Sequence, residues 1–161
     1  MGKHTNCEVR IDSESSLKIN ICTSNKMNPD TLYMDITAYI VPLYDREDFD
    51  RDMLLCEKEI RKYVGERLKD TDMLKQEYIM VMEAASGRME KGKNTYINIQ
   101  VYMRPSMAYY VDFKNDFKAS AILLYNDVLC DVARHISVSL ADRGYLVSKN
   151  KVSPNYTYNK S

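Results

Sequence analysis

An alternation of apolar and polar residues from Leu32 to Ile40 constrains the fold of this chain more than any other feature. Apolar side chains would share one face of an extended segment, and tyrosine and polar side chains would share the other. The first set is Leu32, Met34, Ile36, Ala38 and Ile40, and the second is Tyr33, Asp35, Thr37 and Tyr39. Such a pattern is typical of a strand with one buried face. The chain therefore should form a sheet that is covered on one side only.

The period of the apolar residues changes directly after this strand. Between Asp45 and Lys69 they recur every three or four positions, which places them in one stripe along a helix. The stripe consists of Phe49, Met53, Cys56, Ile60, Val64 and Leu68. Acidic residues crowd the first turns and basic residues the last, as the helix dipole favours. We therefore predict a helix over residues 45–69.

The rest of the chain predicts shorter elements. Alternation indicates further strands at residues 17–22, 78–85, 95–103 and 145–147. Helical spacing returns from Phe117 to Leu140, and Gly144 follows as the expected C-terminal cap. Residues 23–31 read as a turn, and residues 106–115 show no regular period.

From Leu32 onward the predicted order is strand, helix, strand, strand, helix, short strand. This is the order of a ferredoxin-like split β-α-β sandwich, in which two helices cover one face of an antiparallel sheet. The segment 17–22 would add an extra N-terminal strand. At 161 residues the chain has the size of one domain. We predict an α+β fold, with a single domain at residues 1–149 and a polar C-terminal tail at 150–161.

The charge balance bears on the kind of partner. The chain has 23 basic and 23 acidic residues, so a general field that attracts nucleic acid is absent, and such binding would need a local patch. A near-neutral surface also lacks the self-repulsion that keeps copies apart. No apolar run approaches the ~18 residues of a membrane helix, and the N-terminus has no signal-peptide pattern. We expect a cytoplasmic protein without a membrane partner.

Candidate catalytic and metal-binding residues form no recognisable site. Gly87 to Asn94 has the pattern G-x-x-x-x-G-K-N, which is close to that of a phosphate-binding loop. It lacks the final hydroxyl residue of such a loop, and a strand follows it instead of a helix. The acidic residues from Asp45 to Asp52 could bind a hard cation, but helix capping explains most of them. The cysteines are too scattered for a zinc or redox motif. We expect no enzyme activity, cofactor or metal. A small metal- or nucleotide-dependent enzyme remains a hypothesis after the two that are given below.

Tyrosine is the remaining unusual feature, with 13 Tyr beside 3 Phe and no Trp. Tyrosine supplies contact area at low entropic cost and is frequent in interfaces, although strands favour it generally. Four tyrosines should lie on the sheet face away from the helices, and the loop between the two middle strands adds basic residues. The candidate interaction surface is therefore Tyr33, Tyr39, Tyr96, Tyr102, Arg88, Lys91 and Lys93.

In element order and size, residues Leu32 to Val147 resemble the small α+β connector and tail-completion proteins that form rings in the neck of tailed bacteriophages. The resemblance rests on that order and on the lack of catalytic residues, without a diagnostic motif. It implies a structural protein that forms a homo-oligomeric ring with other proteins of an assembly, located in the virion. The alternative hypothesis is single-stranded nucleic-acid binding, with bases stacked on Tyr96 and Tyr102.

Overall fold

A six-stranded antiparallel sheet organises the fold, seen in a computed structural model that describes residues 7–25 and 28–148. The strands are β1 (Glu8–Asp12), β2 (Lys18–Asn25), β3 (Asn28–Pro42), β4 (Ile79–Ala84), β5 (Thr95–Met103) and β6 (Tyr145–Ser148). Their order is β1-β2-β3-β5-β4, and β6 pairs with the C-terminal end of β3 beyond the reach of β2. The predicted α+β class is confirmed.

The helices of the described residues cover one face of this sheet. They are α1 (Phe49–Lys69), α2 (Met107–Asn115), α3 (Phe117–Leu124) and α4 (Cys130–Asp142). A π-helical turn at Tyr125–Leu129 joins α3 to α4 in one continuous helical stretch. Asp48 begins α1, since its carboxylate accepts a hydrogen bond from the Arg51 N–H at 3.2 Å. Gly144 follows α4 with a φ of +89°, which only glycine adopts without strain.

The core lies between the sheet and the helices. All five apolar residues predicted for one face of β3 are fully buried, together with the predicted stripe of α1. The corresponding face of β5 is equally buried at Ile97, Ile99, Val101 and Met103. The residues between these positions remain partly exposed on the opposite side, which we call the open face. Helices and sheet therefore share one core on one side of the sheet.

The structure corrects several local predictions. In the predicted turn at residues 23–31, the described residues 23–25 and 28–31 are strand, because β2 continues to Asn25 and β3 already begins at Asn28. The Asn-Pro-Asp sequence there favours a turn, but pairing of Thr23 with Leu32 and of Asn25 with Asn28 outweighs that local preference. The predicted strand at 17–22 is therefore longer, and it lies between β1 and β3 in the sheet.

Two elements escaped prediction altogether. β1 has only Val9 and Ile11 as apolar residues, too few for alternation to stand out. α2 occupies residues that showed no regular period because only Phe113 of this helix is buried. The predicted C-terminal tail at 150–161 lies outside the described residues.

Candidate interaction surface

The four tyrosines of the candidate surface lie on the open face as two cross-strand pairs. Tyr33 of β3 is directly opposite Tyr102 of β5, and Tyr39 is directly opposite Tyr96. The ring centroids are 5.3 Å apart in the first pair and 6.4 Å apart in the second. Tyr33 and Tyr39 are six positions apart along β3, a distance of about 20 Å. The structure therefore places one tyrosine pair at each end of the face.

Polar side chains between the two pairs bond mainly to one another. Asn98 donates to the Asp35 carboxylate at 2.7 Å and to the Ile36 carbonyl at 3.2 Å. The Tyr102 hydroxyl donates to the Gln100 side-chain oxygen at 2.8 Å. Because these groups already have protein partners, covering them with another surface costs less than covering unpaired groups.

The two tyrosine pairs differ in accessibility. Burial, together with the neighbouring Cys22 thiol to which Tyr33 is hydrogen-bonded, raises the pKa of Tyr33 to about 12. Burial likewise raises the pKa of the Cys22 thiol to about 11. Tyr96, in contrast, is 59% exposed, and Lys18 lies 5.5 Å from the ring centre of its partner Tyr39. The pair at Tyr39 and Tyr96 is therefore the one with a largely exposed ring.

Apolar residues that the sequence did not assign to a surface border the open face. Ile79 and Val81 of β4 are 66% and 42% exposed, and Leu146 of β6 is 55% exposed. Ile79 lies opposite Tyr102 in the sheet register, and Leu146 lies opposite Val41. In β4 every position from Ile79 to Met82 is apolar, so alternation gave no means of choosing its exposed face. The open face thus has apolar margins on both sides.

The basic loop of the candidate surface is docked against the start of α1. Arg46 and Met89 exchange two main-chain hydrogen bonds of 2.7 and 2.8 Å, and the Phe49 N–H donates to the Gly87 carbonyl at 3.0 Å. The Gly92 N–H reaches the carbonyl of Pro42 at 2.9 Å. These contacts tie the loop to the start of α1 and to the end of β3.

Acidic residues at the start of α1 meet this basic loop. Arg88 forms an ion pair with Glu47 at 3.6 Å, and the Lys91 main-chain N–H donates to the Asp45 carboxylate at 2.8 Å. Lys93 bonds through its main chain to Glu90 at 3.1 Å. The loop lies at the end of the sheet that carries Tyr39 and Tyr96, far from Tyr33 and Tyr102. The seven predicted residues therefore do not form one continuous patch.

A half-buried carboxylate, Asp52, holds β6 in place. It is 2.7 Å from the Arg46 guanidinium and accepts a hydrogen bond from the Tyr145 hydroxyl. Burial alone would raise the pKa of Asp52, but the hydrogen bonds from Arg46 and Tyr145 outweigh burial and lower it. The Tyr145 ring also packs edge-on against Phe49, with centroids 5.6 Å apart. Asp52 thereby fixes the strand that presents Leu146.

Other side chains that could react or bind a metal take part in contacts within the fold. Ser139 donates to Glu59, which also pairs with Arg143 at 3.2 Å, but Ser139 is only 1% exposed and out of reach of a substrate. His135 stacks on Tyr63 with the ring centres 4.0 Å apart. Within residues 7–25 and 28–148, no three His, Cys, Asp or Glu side chains gather as a metal site would require.

Comparison with protein-family models gives no match, and comparison with curated proteins and with solved structures gives no significant match. Over the part of the chain that the structure describes, every helix is too short or too polar to cross a membrane.

Proposed function

We propose that this chain is a non-enzymatic assembly protein that forms a homo-oligomer through its open face. The observation that carries the proposal is the combination of exposed apolar margins with an internally bonded polar centre. Ile79, Tyr96 and Leu146 are each more than half exposed, although a monomer gains nothing from placing them in water. Covering this surface buries apolar area and leaves few polar groups unpaired.

The charges of the chain favour association with copies of itself. A formal net charge of zero means that two copies experience little long-range repulsion. On the open face itself, Asp35 accepts from Asn98, and Lys18 lies over the Tyr39 ring. Contact between such faces therefore does not bring a block of like charges together.

We further propose a ferredoxin-like arrangement for the core. The order β6-β3-β5-β4, with antiparallel neighbours throughout, supports it, as do α1 between β3 and β4 and the helical stretch between β5 and β6. The β1-β2 hairpin would then extend the β3 edge. For such a core, the resemblance to bacteriophage neck proteins implies a closed ring within a virion, and that is the form of assembly we propose. Negative-stain images of the purified oligomer test it by showing a ring or another shape.

Single-stranded nucleic acid is the second candidate partner, because the exposed Tyr96 ring could stack on a base. The charges weigh against it. Arg88 is paired with Glu47, and Asp35 and Glu83 place carboxylates along the sheet beside the tyrosines. A strand of phosphates would meet these carboxylates without a continuous basic path.

Light scattering coupled to size exclusion separates the two candidates. We expect the full chain to elute as an oligomer whose mass falls on dilution, with no change when a mixed-sequence oligonucleotide is added. A strictly monomeric protein that shifts only with the oligonucleotide contradicts the assembly proposal. The variant Tyr96→Glu, which places a negative charge on the open face, should weaken association at least about tenfold, equivalent to 1.4 kcal/mol. Val111→Glu on α2, on the helix-covered side, is the matched control.

A further inference from the structure

Two of the outer strands of the sheet, β1 and β4, have contrasting chemistry. Among the described residues, β1 pairs only with β2, and β4 pairs only with β5. β1 places Glu8, Arg10 and Asp12 on one side of its edge, the kind of charged edge that discourages pairing with another chain. β4, with the sequence IMVMEA, has one charge in six residues. The two edges therefore differ in how open they are to a further strand.

Apart from Glu83, the β4 edge is apolar on both of its faces. Ile79 and Val81 are exposed on the open face, and Met82 lies on the helix side. A groove of about 190 Å³ runs between β4 and α1 on that side, lined by Met82, Ala84 and the exposed Leu54 and also by Asp50 and Glu57. An incoming strand would thus find main-chain partners along the edge and apolar contacts above and below it.

We propose that β4 is a strand-pairing site at which a second copy of this chain adds its own β4 in antiparallel orientation. The inference rests on the proposed self-association and assigns one of its interfaces. A two-fold axis through Val81 places Val81 opposite its own copy and Met80 opposite Met82 of that copy. Both sheets then join into one, with their open faces on the same side.

The single charge of β4 fits this pairing. With the axis at Val81, each Glu83 lies opposite Ile79 of the other copy. The two Glu83 residues are then four positions apart along the strands, about 13 Å, which exceeds the screening length of about 8 Å at physiological salt. An axis at Met82 would bring the two carboxylates to half that distance, so Val81 is the favoured centre.

Arg61 of α1 covers part of the β4 edge. Its guanidinium donates to the Met80 main-chain carbonyl at 3.2 Å and is held by Glu57 at 2.6 Å. This contact occupies an acceptor that a neighbouring strand could use, so pairing has to displace Arg61. Because displacement costs free energy, Arg61→Ala should strengthen association, in contrast to the usual loss on truncation.

Hydrogen exchange of the full chain, followed over a concentration series, tests the inference. In the oligomer we expect exchange of the Met80 and Met82 amides to slow at least about tenfold relative to the dilute protein. Val81→Lys should abolish that slowing, whereas the matched variant Val81→Thr should retain it. Unchanged exchange in β5 in both variants shows that the sheet stays folded.

The outcomes distinguish this inference from the proposed function. If an oligomer forms and exchange in β4 does not respond to concentration, β4 is not an interface, but self-association stands. A chain that stays monomeric at every concentration contradicts both. The β4 pairing is supported if exchange in β4 slows with concentration in the unmodified chain, does not slow in Val81→Lys, and slows more strongly in Arg61→Ala.

Discussion

Ile36 and Thr37 are neighbours in β3, yet they lie on opposite faces of the sheet in different surroundings. Ile36 is fully buried in the core, whereas Thr37 remains partly exposed beside Asn98 and Lys18. Folding alone requires the apolar residues on the helix-covered face, because they form the core that holds the helices. No such requirement explains Ile79, Tyr96 or Leu146 on the open face. The difference between the two faces therefore separates the residues that the chain needs to fold from those that we propose as its interface.

The largest expected effect comes from comparing alanine substitutions at neighbouring positions on the two faces. Ile36→Ala should lower the free energy of unfolding by about 3 kcal/mol, because it removes buried methylene groups and leaves a cavity. Thr37→Ala, one residue away, should cost less than about 1 kcal/mol. Urea unfolding of dilute protein gives both values. Equal losses would mean that the open face contributes to the folded core as much as the covered face does.

Asp52 is expected to have the next largest effect, since it joins α1 to the strand that borders the open face. Asp52→Asn should cost about 2 kcal/mol at neutral pH, because the ion pair with Arg46 is lost at a half-buried position. The folded pKa of Asp52 is lowered, so its contribution is present above the unfolded value of 3.8 and disappears as the pH falls through the folded pKa. The difference between the two proteins should therefore shrink below about pH 4.

Urea unfolding at a series of pH values measures this difference. Asp48→Asn is the matched control, because asparagine caps a helix about as well as aspartate does. A loss in Asp52→Asn that stayed constant into strongly acidic solution would show that the charge of Asp52 is not what stabilises β6.

A smaller effect is expected on the open face itself. Tyr102→Phe removes the hydroxyl that donates to Gln100 and should cost about 1 kcal/mol of stability. The ring remains to pack against Tyr33, so association should change little. Unfolding and light-scattering measurements on one preparation compare the two effects. A large loss of association with unchanged stability would move the functional centre of the open face from Tyr96 to Tyr102.

The sequence predicted the covered face better than the margins of the sheet. Alternation in β3 and β5 assigned both faces correctly and placed all four tyrosines on the open one. The helical stripe of α1 was equally clear, because a helix of this length repeats its period several times. These elements lie at the centre of the fold. Because one face of each is buried, their apolar residues recur at a regular spacing.

The missed features depend on contacts between distant parts of the chain. β4 is apolar at successive positions, so its exposed residues Ile79 and Val81 are defined only by pairing with β5. The docking of the loop at Gly87 depends on main-chain bonds to the start of α1, which leave no periodic signal. α2 buries too few residues for a stripe. Local patterns therefore revealed the core and tyrosine pairs, and tertiary structure revealed the apolar margins and the unequal edges.

Hydroxyl-radical footprinting at low and high protein concentration tests the central claim most directly, because it reports which side chains become covered as the chain associates. The account predicts that Tyr96 and Leu146 on the open face lose reactivity in the oligomer. Met107 and Val111, exposed on α2, should keep theirs. An oligomer in which Tyr96 and Leu146 react as in the monomer, while Met107 and Val111 become protected, would contradict the assignment of the open face as the interface.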